Sequence, residues 1–165
     1  MAQDDGLRDG ERAIKWCGAS DARLVYIGRI RTPWTSRKDC PRQGRHDGPL
    51  CRIEIDEAWA DALEGIDAYE RLEVLYWLDH SRRDLVLQSP RDDGATRGTF
   101  ALRSPMRPNP IGTSIVRLVE IEKTTLIVRG LDCLDGTPLL DIKPDRTLFI
   151  PPAPPTRGDY EIENP

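Results

Sequence analysis

The ten residues "RSPMRPNPIG", Arg103 to Gly112, restrict this chain more than any other stretch. Each proline fixes its own φ at about −65° and has no N–H to donate. It also drives the residue before it toward extended geometry. Pro105, Pro108 and Pro110 therefore constrain Ser104, Arg107 and Asn109 as well. Helix is excluded, and a central strand would lose its ladder donors. The segment must be an ordered, extended loop that turns at Gly112. Prolines lower the entropy lost on ordering such a loop. A rigid strand connection would explain Pro and Gly alone. Arg103, Arg107 and Asn109 on the same frame point further, to a preorganised polar site.

The rest of the chain supplies a small core. At 165 residues, 38% hydrophobic and 32% charged, it reads as one polar globular domain. No stretch approaches the roughly 18 to 20 apolar residues of a membrane helix. The opening "MAQDDGLRDGER" lacks the apolar core of a secretory signal. Cys17, Cys40, Cys51 and Cys133 form no C-x-x-C pair, and His46 and His80 lie far apart, so no metal site is expected. The cysteines read as reduced thiols of a cytoplasmic protein. His80, alone behind a strand, reads by default as a partly buried structural histidine.

Strand signals recur at short spacing: "RLVYIGRI" (23–30), "LCRIEI" (50–55), "RLEVLYWLD" (71–79), "DLVLQS" (84–89) and "TFALR" (99–103). "SIVRLVEIEK" (114–123) and "TLIVRGL" (125–131) form a hairpin, and "LDCLDGTPLLDIKPD" (131–145) a turn and strand. One short helix, "EAWADAL", follows Asp56 as its cap. This pattern predicts a mainly β fold, a sandwich or barrel. Residues 1–20 read as a flexible N-terminal arm, 21–150 as the domain, and 151–165 as a proline-rich tail. The basic segment 31–49 is a long loop of the kind that is functional or disordered.

The net charge of −4 argues against nucleic acid, but it hides a pattern. Residues 22–52 carry eight Arg/Lys against two acids, and 80–117 seven Arg against three Asp. Between them, residues 54–79 carry nine acids and one Arg. If the basic blocks meet, they make a local phosphate-binding surface. Taken alone, the pattern is better read as ordinary solvated charge. G-x-G-x-x-G, the P-loop, G-x-S-x-G and H-E-x-x-H are all missing, so Rossmann, hydrolase and metalloprotease readings lack support.

Five stretches carry a resemblance: "IGRIRTPW" (27–34), "PRQG" (41–44), "LEGIDAYERLEVLYWLDH" (63–80), "RGTFALRSPMRPNPIGTS" (97–114) and "LDCLDGTPLLDIKP" (131–144). In this order they resemble the TsaA-like family of TrmO-type tRNA methyltransferases. The resemblance implies a small antiparallel β-barrel with one or two short helices, outside the Rossmann class. It further implies S-adenosylmethionine as cofactor, a homodimer, and methylation of N6 of threonylcarbamoyladenosine beside the tRNA anticodon. The implied cofactor residues are Pro41, Arg42, Gln43, His80, Ser81, Arg103, Ile115, Leu131, Asp132, Cys133 and Leu134. After "DIKP" the family usually has an aromatic residue, where this chain has Asp145.

Methyl transfer from a sulfonium is chiefly a matter of proximity and alignment, which suits a prolyl-stiffened loop. Arg103 or Arg42 could bind the methionine carboxylate with a planar fork. His80 is a candidate base, and Asn109 a candidate for positioning the acceptor. Arg37, Lys38, Arg45 and Arg107 are candidates for RNA phosphate. A small-molecule methyltransferase and a non-catalytic S-adenosylmethionine-binding module remain alternatives on the same scaffold.

Overall fold

A computed structural model describes residues 6–15 and 22–146. The expected C-terminal tail, 151–165, lies outside the described residues. Alternation of apolar and polar side chains builds the core. In β4, Arg71–Trp77, Leu72, Val74 and Tyr76 are buried while their neighbours are partly exposed. In β3, Cys51–Ile55, Cys51, Ile53 and Ile55 are buried. With β2 (Gly28–Arg31), β7 (Ile111–Glu122), β8 (Thr125–Arg129) and β9 (Pro138–Pro144), these strands form a closed barrel in the order β2-β3-β8-β7-β4-β9. Every pairing is antiparallel, and β2 closes the ring on β9 through Gly28↔Leu139. Ile30, Ile53, Leu72, Val74, Val116, Leu126, Val128 and Leu139 fill the interior at 0% exposure. The mainly β barrel expected from the sequence is what the chain adopts.

Two register shifts help so short a ring to curve. One falls between Leu118 and Glu120 of β7, the other between Leu75 and Tyr76 of β4. Such bulges bend and twist a ladder locally. Beside the barrel, β1 (Arg12–Ala13), β5 (Leu85–Gln88) and β6 (Arg97–Gly98) form a small sheet in the order β1-β5-β6. Part of the segment read as an arm thus pairs with β5. Arg8 Nη1 donates to Ser89 O at 3.0 Å, and Ser89 N to Glu11 Oε1 at 3.0 Å.

Several elements differ from their sequence reading. "RLVYIGRI" is strand only from Gly28; Leu24, Val25 and Tyr26 are exposed and unpaired in the ladder. "TFALR" is no strand: Thr99–Ala101 is a 3₁₀ turn closed by Leu102 N on Thr99 O. Its side chain decides this, because Thr99 is buried and donates to Leu85 O at 2.7 Å. β7 starts at Ile111, directly out of the proline loop. Glu57–Leu63 is a 3₁₀ helix, and the Asp56 side chain caps nothing; its carbonyl accepts from Trp59 N at 2.8 Å. Among the described residues, no helix is long and apolar enough to cross a membrane. Among them too, no group of three His, Cys, Asp or Glu could hold a metal.

The barrel core contains thiols. Cys40, Cys51 and Cys133 are free. Burial pushes the Cys51 thiol up to about 11 from an ordinary 9.0, and burial raises Cys133 as well. Above pH 9.0 the unfolded chain loses these protons while the folded chain keeps them. The unfolded state then binds fewer protons, so stability falls as pH rises. We expect urea unfolding midpoints to drop progressively above about pH 9, and Cys51→Ala to flatten that slope. A midpoint independent of pH across this window would contradict the burial of the thiols.

Candidate active site

Tyr76 is the last inward residue of β4, and its hydroxyl meets a carboxylate. It donates to Asp132 Oδ1 at 2.7 Å. Ser114, on the neighbouring β7, donates to the same oxygen at 2.7 Å. The two hydroxyls stand 2.8 Å apart, so two protons serve three close contacts. An ionised carboxylate is the stronger acceptor, so both protons point to Asp132. Burial, reinforced by the Asp132 charge, pushes the Tyr76 phenol upward in pKa. Tyr76 therefore stays protonated and acts as a donor, not as a base.

The other Asp132 oxygen holds the basic loop. Gly44 N–H donates to Oδ2 at 3.2 Å, and Cys40 Sγ donates to the Asp132 carbonyl at 3.1 Å. A Cβ on Gly44 would lie 1.7 Å from Gly130 O, so only glycine lets loop and turn approach this closely. His46 Nε2 donates to Ile115 O at 2.9 Å, which fixes a proton on that nitrogen. Thr32 Oγ1 donates to Cys133 O at 3.0 Å. Cys40, Gly44 and His46, which bracket Pro41, Arg42 and Gln43, are thereby held against Asp132 and Ile115. Leu131 and Cys133 are buried, and Asp132 and Leu134 half-buried. Burial raises the Cys40 thiol, and the Asp132 charge adds to this, so it is a weak nucleophile.

A second meeting point involves two turns. Ser81 N donates to Leu78 O at 3.0 Å, which puts Asp79 and His80 at the corners of a turn after β4. Asp39 N and Cys40 N both donate to Ser36 O, which puts Arg37 and Lys38 at the corners of another. The two turns face one cleft lined by Arg37, Leu78, Asp79, His80, Ser81, Leu134 and Thr137. His80 is 81% exposed, with Nε2 3.8 Å from Asp79 Oδ1. The default reading of His80 as a partly buried histidine is thus corrected: a corner position leaves its ring in solvent. A larger open cleft runs between His46, Ala68, Tyr69, Glu70, Arg71 and Asp145. Asp145, standing where an aromatic was expected, is 2% exposed and pairs with Arg71 at 3.1 Å.

The proline loop is held by its carbonyls, as its missing N–H groups require. Gln88, 2% exposed, donates through Nε2 to Met106 O at 2.7 Å and to Thr99 Oγ1 at 2.9 Å. Arg83 Nε donates to Pro108 O at 2.6 Å while its guanidinium lies 5.3 Å from the Trp77 ring centroid. Leu78 N donates to Pro110 O at 2.8 Å. Asn109 is left exposed between two anchored carbonyls.

The expected phosphate ligands divide. Arg107, half-buried, donates to Leu102 O at 2.8 Å and Thr99 O at 3.3 Å, so it braces the loop from inside instead of reaching outward. Arg45 pairs with Asp47 at 2.7 Å. Arg37, Lys38 and Arg42 are exposed, with no carboxylate at ion-pair distance among the described residues. Arg103 is exposed and is not part of the Arg37–His80 cleft. Sequence reasoning missed Tyr76, Ser114, Gly44, Gln88 and Arg83. Only Tyr76 carried a signal, a hydroxyl at an inward position of an otherwise apolar strand.

Comparison with known proteins follows this geometry. Residues 29–148 match the family model of the tRNA-methyltransferase O N-terminal domain. A "probable S-adenosyl-L-methionine-binding protein VirR" of Rhizobium radiobacter is 60% identical over 156 residues, 94% of this chain and 89% of its own length. The tRNA (adenine(37)-N6)-methyltransferase of Escherichia coli is 38% identical over 137 residues, 76% of this chain and 58% of its own. The crystal structure of TrmO from Pseudomonas aeruginosa superposes with a TM-score of 0.66 at 29% identity, covering 84% of this chain and 62% of that one. The chain thus spans about three fifths of these last two proteins. With the match extending around the whole barrel, the chain belongs to the tRNA-methyltransferase O N-terminal domain family.

Proposed function

We propose that this protein transfers a methyl group from S-adenosylmethionine to N6 of an adenosine in tRNA. The observation that carries the reading is the fastening of the 41–44 loop to the 131–134 turn through one carboxylate, Asp132. Sequence-distant segments are thereby held as one surface before any ligand arrives. The donor set suits this cofactor. Backbone groups around Leu131 to Leu134 can meet an adenine edge, Leu134 and Ile115 can cover its face, and Arg42, exposed and without an ion-pair partner among the described residues, stands by for a carboxylate. When bound, S-adenosylmethionine supplies an electrophilic methyl with a neutral leaving group.

The chain's own residues then have to orient the acceptor and receive a proton. The anchored proline loop presents Asn109 for the first task. His80, exposed beside Asp79, is the group we assign to the second. Tyr76 and the thiols are held protonated and take no part as bases. The barrel domain, residues 21–150, carries this chemistry. We read the protein as a cytoplasmic homodimer. The exposed Leu24, Val25 and Tyr26, 51%, 62% and 47% accessible, support a surface covered by a second copy. A non-catalytic S-adenosylmethionine-binding module is the second reading. The name of the Rhizobium radiobacter relative favours it.

Incubating purified protein with labelled S-adenosylmethionine and tRNA, then analysing nucleosides by mass spectrometry, separates the two. Label in a methylated adenosine supports transfer; tight cofactor binding with no label supports the module.

The Asp132 hub predicts a graded pair of variants. Tyr76→Phe keeps the ring and removes one hydrogen bond, so we expect a loss of about 1 kcal/mol in urea unfolding and little change in cofactor affinity. Asp132→Ala also frees the Gly44 amide and should weaken cofactor binding by about tenfold or more, roughly 1.4 kcal/mol. Equal affinities in the two variants would show that fastening the loop does not matter.

RNA contact predicts a contrast within one loop. Lys38→Ala should reduce the salt dependence of log K for tRNA by roughly 0.7 to 0.9. Arg45→Ala should change it much less, because Arg45 is already paired with Asp47. The same reduction in both variants would mean that the Arg45–Asp47 pair opens on RNA.

A further inference from the structure

Among the described residues, Phe100 is the most exposed large apolar side chain, at 85%. Its backbone, by contrast, is firmly held. Phe100 and Ala101 are the corners of the turn that Leu102 N closes on Thr99 O at 3.3 Å. Thr99 is anchored inward, donating to Leu85 O and accepting from Gln88 Nε2, and the next side chain is presented to solvent. Arg107 donates to Thr99 O and Leu102 O, and Gln88 also donates to Met106 O. The turn and the proline loop are thus one braced frame that displays Phe100 and Asn109, both exposed. Single exposed apolar residues are common on proteins, but the surroundings of this one are not neutral. From Gly94 to Val119 the sequence has four arginines, Arg97, Arg103, Arg107 and Arg117, and no Asp or Glu. Arg97, in β6, is exposed and has no carboxylate at ion-pair distance among the described residues. Of the acids just before this stretch, Asp93 already accepts from Ala95 N at 3.0 Å. A protein interface needs about 800 Å² on each side, whereas Phe100 is the one large apolar side chain exposed between Gly94 and Asn109. A lone ring on a rigid mount, with cations beside it and no anion, matches a single base and its phosphate.

We propose that Phe100 is a stacking platform for an unpaired nucleobase of the RNA substrate, with Arg97 on an adjoining phosphate. On the reading given above, on which this proposal rests, that base is a neighbour of the adenosine to be methylated. Phe100 holds the neighbour while Asn109, on the same frame, meets the acceptor. Stacking engages the face of a base and leaves its hydrogen-bonding edges unread. The platform therefore selects unstacked RNA, a loop over a duplex, with little choice among the four bases.

Fluorescence-anisotropy titration of the full chain with three labelled probes tests this: tRNA, a short single-stranded oligoribonucleotide, and the same strand annealed to its complement. We expect wild type to prefer the single strand to the duplex. Phe100→Ala should weaken single-strand and tRNA binding about ten- to a hundredfold, the scale of one stacked base, and leave duplex binding unchanged. The salt dependence of log K should stay the same in that variant, because the ring carries no charge, whereas Arg97→Ala should reduce it by roughly 0.7. Phe100→Trp should bind as wild type does, and Phe100→Leu, apolar but without a π-face, should fall with Phe100→Ala. Urea midpoint and sedimentation of Phe100→Ala should match wild type, as an exposed ring requires. Full affinity in Phe100→Ala or Phe100→Leu, or an equal loss on duplex, overturns the platform. A lowered urea midpoint overturns it by making the ring a packing group, and a smaller sedimenting species by making it a contact between copies. If wild-type protein binds none of the three probes, the tRNA reading falls as well; if Phe100→Ala binds and methylates tRNA as wild type does, only the platform falls.

Discussion

One carboxylate organises this molecule. Asp132 takes the hydroxyls of Tyr76 and Ser114 on one oxygen and the Gly44 amide on the other. A buried acceptor left without donors costs about 1–3 kcal/mol, so each of these groups depends on the others being in place. The barrel wall supplies the hydroxyls, and the basic loop supplies the amide. The Asp132 carboxylate is the acceptor that all three share. Without it, the 41–44 loop would lose the contact that holds its Gly44 amide, and the entropy of ordering the loop would fall on whatever it binds.

The proline loop uses a complementary device. A segment poor in N–H groups cannot be held by a ladder, so donors come to it from side chains of Gln88 and Arg83 and from Leu78 N. Two of these lie in or beside the small sheet that the segment around Arg12 and Ala13 completes. The exposed Asn109 is thereby framed by carbonyls held from beside the small sheet on one side and from the end of β4 on the other.

The strand at 71–79 was legible from its apolar, β-forming composition, but its inward set, Leu72, Val74 and Tyr76, was not, because Leu75 and Trp77 on the other face are apolar too. The proline loop was legible because its stereochemistry leaves one solution. "TFALR" was misread because its apolar, β-forming composition concealed the buried hydroxyl of Thr99, whose partners lie on β5. The candidate site could be named from the sequence as a set of segments, but not as a geometry. Arg107 and Arg45 look like free cations in sequence, and only their neighbours in space, carbonyls for one and Asp47 for the other, show them engaged. The converse holds for Arg37 and Asp79, which lie far apart in the chain and line one cleft because two tight turns face it.

The ring is closed by β2 on β9, its first and last strands in sequence. Contacts of such long separation slow folding, because most of the chain must be organised before they form. During synthesis, a chain that has not yet released residues 138–144 has a barrel open along one seam. In that chain β2 and β4 expose unpaired edges of the kind that recruit other strands. The hub at Asp132 lies only a few residues before this last strand. Ligand binding and protection from aggregation should therefore appear together, late, and in a single step as the final strand leaves the ribosome.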